Sequence, residues 1–231
     1  MSTAPDPPLV GDPPARARAR GGRAAGQPAP TEGKRTTRRQ PRYTLDELVD
    51  VAVKVFIQRG YEGASMEDLA REAGLTKSSF YHHVSGKEEL LDRAASRALD
   101  ALGRVLDEPE ASSGRPVQRL EHVLRRTTDV LLAELPYVTL LLRVRGNTDK
   151  EREILERRRQ IDAQVAALVR EAADAGEIRS DIDPRLGTRL LFGMVNSITT
   201  WYRPGTSSLG WDEVQAGVVK LALDGLRARQ Q

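Results

Sequence analysis

Cysteine is absent from the 231 residues. That excludes disulfides and thiolate metal sites, and it fits a reducing cytosol. Histidine is scarce: His82, His83 and His122 are the only three. His82 and His83 are neighbours, so on a helix they project about 100° apart and do not chelate one ion. No metal site is expected. Long apolar runs are missing too: none approaches the ~18 to 20 residues that span a bilayer. The Pro- and Arg-rich start lacks the apolar stretch of a secretory signal. A cytoplasmic protein with no membrane partner is expected. Strand-like alternation of apolar and polar residues is nowhere evident, nor is an internal repeat. No nucleophile, general base and orienting group recur with useful spacing. Ser85-Gly86-Lys87 is no phosphate loop, because Tyr81 and Glu88 stand where that pattern needs Gly and Ser or Thr. The chain reads as a non-enzyme with no cofactor.

What is present is uneven. Residues 1–42 hold eight of the thirteen prolines, nine basic side chains and three acidic ones, so the remaining 189 residues carry a net charge of −3. A segment so poor in large apolar side chains cannot offset its ordering entropy, and 1–42 is expected to be a disordered basic tail. Arg35, Arg38, Arg39 and Arg42 abut the first helix, where an arm of this sign suits phosphate or minor-groove contact.

Residues 43–88 read as three helices. Leu45, Leu48, Val49, Ala52, Val53 and Phe56 recur at three- and four-residue spacing between Thr44 and Gly60, and Thr44 with Glu47 forms a capping box. Ser65 with Asp68 repeats that signature. Leu69, Ala70 and Ala73 then give a small apolar face, and Gly74 suits a left-handed turn. Thr76 can cap a helix running to about His83. Two short helices across a tight turn make a helix-turn-helix, whose second helix enters the major groove. Thr76, Lys77, Ser78 and Ser79 occupy the end that faces base edges. Phe80 reads as core. Lys87 starts the next helix, where its ammonium and the free amides both suit phosphate.

This segment resembles the N-terminal DNA-binding domain of TetR-type transcriptional repressors. Ala52, Phe56, Gly60, Tyr61, Ala70, Ala73, Gly74, Phe80, Tyr81, His82, His83, Lys87, Glu88 and Leu90 carry the resemblance, and Val84 stands where the family usually has Phe. It implies a phosphate contact from the Tyr81 hydroxyl and double-stranded operator DNA as partner. The candidate DNA-binding set is Arg42, Thr44, Ser65, Thr76, Lys77, Ser78, Ser79, Tyr81, His82 and Lys87.

Beyond it, 89–231 is expected to be a six-helix ligand-binding and dimerisation domain, which makes the whole fold all-α. Helical patterns run over Lys87–Asp107, Pro116–Leu135, Tyr137–Val144, Lys150–Ala175, Asp183–Tyr202 and Trp211–Arg229, with 107–115 as a loop. Arg157, Arg158 and Arg159 read as a solvated helix face with Glu151, Glu153 and Glu156 around them. The resemblance implies a homodimer whose last two helices pair with their mates. Leu191, Val195, Ile198, Tyr202, Val214, Val218 and Leu221 are the candidate interface residues, with Gly193, Ser197 and Gly217 allowing close approach. Asn196 and the Trp201-Tyr202-Arg203-Pro204-Gly205 segment are similar to a subgroup that answers to acyl-CoA thioesters, though the segment also suits a helix end. A small-molecule effector, an acyl-CoA, is therefore expected. An apolar tunnel is expected from Leu99, Leu102, Leu124, Leu131, Leu141 and Phe192, with Arg143 and Arg145 at its mouth for phosphate. The alternatives are an efflux regulator answering to hydrophobic drugs, and an effector-free architectural DNA binder, which would lack the ~300 to 1,000 Å³ cavity usual for ligands.

Overall fold

The computed structural model describes residues 43–227. The basic tail 1–42, Arg42 with it, and the final turn expected after residue 227 lie outside the described residues. Helix follows helix: α1 Leu45–Arg59, α2 Met66–Glu72, α3 Lys77–Tyr81, α4 Lys87–Leu106, α5 Pro109–Ser112, α6 Pro116–Ala133, α7 Leu135–Leu141, α8 Asp149–Asp174, α9 Pro184–Trp201 and α10 Trp211–Leu226. Among the described residues the only extended pairing is an isolated bridge between Ile178 and Arg227. The segment expected as a loop between α4 and α6 contains a one-turn helix, α5, so seven helices rather than six follow α3. Glu108 precedes Pro109, whose fixed φ suits a first helical turn, and Ser112 Oγ returns a hydrogen bond to the Pro109 carbonyl at 3.0 Å.

The start of each reading-head helix is fixed by local chemistry. Thr44 Oγ1 accepts from Glu47 N at 3.3 Å while Glu47 takes the Thr44 amide at 2.7 Å. Ser65 and Asp68 repeat this at 3.2 and 3.1 Å. Thr76 Oγ1 accepts from Ser79 N at 3.1 Å. Between α2 and α3, Gly74 has φ +66°, a conformation a side chain resists. The Ser65 hydrogen bonds hold the Asp68 carboxyl at about 2, below its ordinary 3.8, with Arg59 and Arg71 adding to the effect. A depressed folded-state value gives stability that is complete above pH 3.8 and is lost as pH falls toward 2. Thermal melts between these limits are expected to fall steeply for the native chain and less steeply for Asp68→Asn. Parallel curves would show that the box adds no acid sensitivity.

The apolar core runs through α4 without a break at residue 88. Leu48, Ala52 and Phe56 of α1, Leu90, Ala94 and Ala98 of α4 and Val138 and Leu141 of α7 share one buried cluster. A second cluster joins α6, α8, α9 and α10 through Leu120, Leu124, Val169, Leu191 and Val219. α6 ends and α7 begins at Glu134, and Pro136 falls in the first turn of α7, where a missing amide costs nothing.

Polar contacts tie α1 to the helices behind it. Tyr137 of α7 donates to Asp50 of α1. Arg97 of α4 donates to the Tyr137 hydroxyl at 3.0 Å and to Glu134 at 2.7 Å, and its guanidinium lies 4.1 Å from the Tyr137 ring centre. Burial, with Asp50 alongside, pushes the Tyr137 hydroxyl well up, so it stays a donor at neutral pH. Arg143, just past α7, donates to the Ile57 carbonyl in the last turn of α1.

Candidate functional site

One face of α3 is polar and outward. Thr76, Lys77, Ser78, Tyr81 and His82 are exposed, Ser79 is half-buried, and Phe80 is fully buried beneath them. Tyr81 keeps 46 % of its surface in water, which is a large exposure for an aromatic side chain. The helix ends at Tyr81, two residues before the expected His83. Thr44, Ser65 and Thr76 act as caps, so their hydroxyls already hold their own helices. Two lysines are also engaged. Lys77 Nζ meets Glu67 at 2.5 Å across the turn. Lys87 Nζ donates to the Tyr61 carbonyl at 3.2 Å and sits 4.5 Å from the Tyr61 ring centre. At the start of α4, Gly86 provides no side-chain cap, which leaves the first amides there open.

A second site lies among α4, α6, α7, α8 and α9. Its apolar cavity is about 40 Å³, room for a few water molecules. Leu102, Leu131, Leu141, Phe192 and Asn196 line it, as the sequence suggested, together with Val123, Thr127, Ile161 and Val165. Leu99 and Leu124 do not. They are 2 % and 0 % exposed and fill the two core clusters. One residue of helix turns a side chain by 100°, so Val123 lines the cavity while Leu124 faces the core. Arg143 and Arg145 are likewise corrected. They line a separate cleft of about 610 Å³ beside Gly60 and Tyr61 of the reading head, and no part of the apolar cavity.

The arginines at the mouth are others. Arg158, Asp162, Phe192 and Asn196 border both the apolar cavity and an open groove of about 930 Å³ between α8 and α9. Arg159, Arg185 and Arg189 also line that groove. Arg157 turns away, donating to Asp100 at 2.8 Å and Ser96 at 2.7 Å. Arg159 pairs with Glu156 at 3.0 Å. Among the described residues the side chains of Arg158, Arg185 and Arg189 make no hydrogen bond or ion pair. The run 157–159 is thus not one solvated face. Its members diverge, and Arg158 borders a groove whose far wall is α9.

The candidate interface residues need the largest correction. Leu191, Val195, Ile198, Tyr202, Val214 and Val218 are all buried within the protomer, Val218 at 8 % exposure. Only Leu221, at 69 %, faces outward. The exposed apolar side chains of α9 and α10 are instead Leu186, Leu190, Trp201 and Leu221. Gly193, Gly217 and Gly225 have open space where a side chain would stand. The Trp201–Gly205 segment is a helix end. Tyr202 packs edge-on to Trp211 at 5.4 Å, and Arg203 returns to the carbonyls of Thr200 and Tyr202 at 3.1 and 2.8 Å. None of it borders the cavity.

One group of ligand type was not foreseen. Glu108, Glu110 and His122 bring their polar atoms within 4.8 Å of one another. Glu108 is already taken by Arg126, which donates to both carboxylate oxygens at 3.0 Å, and by His122 at 2.7 Å. Those contacts lower its carboxyl, Arg126 first.

Comparison with known proteins places this arrangement. Residues 48–94 match the family model for bacterial regulatory proteins of the tetR family, and 113–226 match a tetracyclin repressor-like C-terminal domain. A member of the TetR transcriptional regulator family from Streptomyces coelicolor has a crystal structure 57 % identical in sequence, with TM-score 0.75, over 82 % of this chain and 94 % of that one. The HTH-type transcriptional repressor KstR2 of Rhodococcus jostii is 28 % identical over 78 % of this chain and 89 % of its own length. AibR, solved with isovaleryl coenzyme A and operator DNA, is 25 % identical with TM-score 0.67, over 77 % of this chain and 96 % of its own. No described helix is long and apolar enough to cross a membrane. With both segments matched and a solved family member 57 % identical over most of its length, the chain belongs to the TetR family of transcriptional regulators.

Proposed function

We propose that this chain is a repressor that binds its operator as a homodimer and is released by an acyl-CoA. The observation that carries the effector reading is the groove. Three arginines that make no ion pair among the described residues border it, and it opens onto an apolar cavity. A coenzyme A thioester has that division: an apolar chain, a neutral linker, then phosphates that arginine recognises through paired N–H donors. AibR, similar in fold, was solved with such a ligand.

The cavity supplies the mechanism. At about 40 Å³ it is too small for an acyl chain, so entry must part the walls. Leu102 and Leu106 on one wall belong to α4, whose other end carries the reading head. A ligand that binds the opened form better shifts the population away from the operator-binding form. Two recognition helices fit one face of the duplex only at ~34 Å spacing, so a small swing of α4 suffices to lose the operator. Native mass spectrometry against acyl-CoAs, free coenzyme A and hydrophobic drugs tests this. One acyl-CoA per protomer is expected, weakened at least about tenfold in Arg158→Ala and Arg189→Ala, in line with losing a charged hydrogen bond. Binding of drugs but no acyl-CoA would replace the reading with an efflux regulator.

On the DNA side, Tyr81→Phe is expected to cost about 1.5 to 3 kcal/mol of operator affinity, equally across operator variants, because a hydroxyl on phosphate sets affinity rather than sequence choice. Lys87→Ala behaves differently. It flattens the salt slope by about one and also lowers the melting temperature, since Lys87 holds the Tyr61 carbonyl. Unchanged operator binding in both variants would remove these residues from the interface.

A further inference from the structure

The throat between cavity and groove contains a charge that the effector reading does not use. Asp162 lies one helical turn beyond Arg158 on α8 and borders both spaces, opposite Asn196 on α9. Its side chain is half-buried and makes no hydrogen bond or ion pair among the described residues. Burial raises its carboxyl above the ordinary 3.8, while the fields of Arg158 and Arg189 pull the other way. An anion facing the polar end of an apolar cavity is an odd fixture for a site that accepts an anionic ligand.

We propose that Asp162 is the specificity residue of this site, admitting the neutral carbonyl of an esterified acyl chain and excluding the same chain as a free carboxylate. The inference rests on the acyl-CoA reading above. A chain seated in the apolar cavity leaves its polar end at the throat. A thioester places an uncharged carbonyl there, within the domain of the Asn196 amide, and carries its phosphates on to the arginines of the groove. A free acid places a carboxylate beside Asp162. Two carboxylates in one partly desolvated site cannot both ionise cheaply. Asp162 also offsets Arg158 and Arg189, which would otherwise attract that carboxylate. Discrimination then comes from a repulsive element aimed at the wrong ligand, since the chain itself is common to both.

The neutral isostere reverses this. Asp162→Asn leaves Arg158 and Arg189 unopposed at the end of an apolar cavity, which is a carboxylate site. The test is direct binding by native mass spectrometry and calorimetry, using isovaleryl, octanoyl and palmitoyl chains, each as the coenzyme A thioester and as the free acid. The readout is the ratio of acid to thioester dissociation constants within each variant, so a general change in stability cancels. The native chain is expected to prefer the best thioester by at least about 100-fold. In Asp162→Asn the ratio is expected to fall at least about tenfold, through tighter acid binding, which corresponds to ~1.4 kcal/mol. Asp162→Glu keeps the charge and is expected to keep the preference. Thioester binding with the same ratio in Asp162→Asn as in the native chain would overturn the role of Asp162 and leave the acyl-CoA reading standing. Binding of no thioester by the native chain would remove the acyl-CoA reading and this inference with it.

Discussion

Leu190→Glu with Leu221→Glu is expected to yield a folded protomer that no longer pairs, while Val218→Asp is expected to destabilise the fold itself. The three residues sit on the same two helices, and burial alone separates their fates. Leu190 and Leu221 are 60 % and 69 % exposed, so a carboxylate there remains hydrated in the lone protomer. In a dimer built on this face it would be buried among apolar groups without a partner. Val218 is 8 % exposed and shares a core cluster with Val195 and Ile198. An unpaired carboxylate there costs about 3 to 5 kcal/mol. For a chain of this size that is a drop on the order of 10 °C. Circular dichroism and light scattering separate the two outcomes. The double variant is expected to keep its helicity, to scatter as a protomer and to lose at least about 100-fold in operator affinity, since joined reading heads act at millimolar effective concentration. A double variant that still scatters as a dimer would place the interface elsewhere.

Arg97→Ala is expected to blunt effector release more than operator binding. Arg97 joins α4 to the α6–α7 joint at Glu134 and to Tyr137, whose hydroxyl reaches Asp50 of α1. On the proposed mechanism, a shift of α4 against α7 would reach the first helix of the reading head through these contacts. Coupling energies between sites run about 1 to 3 kcal/mol, so a lost link is expected to raise the half-releasing acyl-CoA concentration roughly 5- to 150-fold. Arg119→Ala is the control. Arg119 also pairs with a carboxylate, Glu171, at 2.6 Å, but touches neither α1 nor the cavity. Release curves in which Arg97→Ala coincides with Arg119→Ala would show that the cluster only adds stability.

The sequence was legible where the determinants are local. Thr44, Ser65, Thr76 and Asp183 each cap the helix their position announces, because a cap needs only the next three residues. Phe80 could be separated from Tyr81 because a short helix against a core has one inward side. The last helix was harder. Val214, Val218 and Leu221 all belong to apolar rows, and α10 is apolar enough on two faces that periodicity does not say which one meets α9 of the same chain. The effector site was harder still. Arg158 and Asp162 meet Arg189 and Asn196 only because α8 packs along α9, and nothing within either helix marks that meeting. The Trp201–Gly205 segment suited both a ligand-responsive subgroup and a helix end, and its side chains finish α9 and pack on Trp211.

The most direct test is a mobility shift of the purified full-length chain on the DNA upstream of its own coding sequence, titrated with acyl-CoAs and with free coenzyme A. The account predicts a discrete complex at physiological salt that survives non-specific competitor DNA, and its release by an acyl-CoA at concentrations where free coenzyme A has no effect. A complex that no acyl-CoA dissolves, at concentrations that saturate the protein by mass spectrometry, would contradict it.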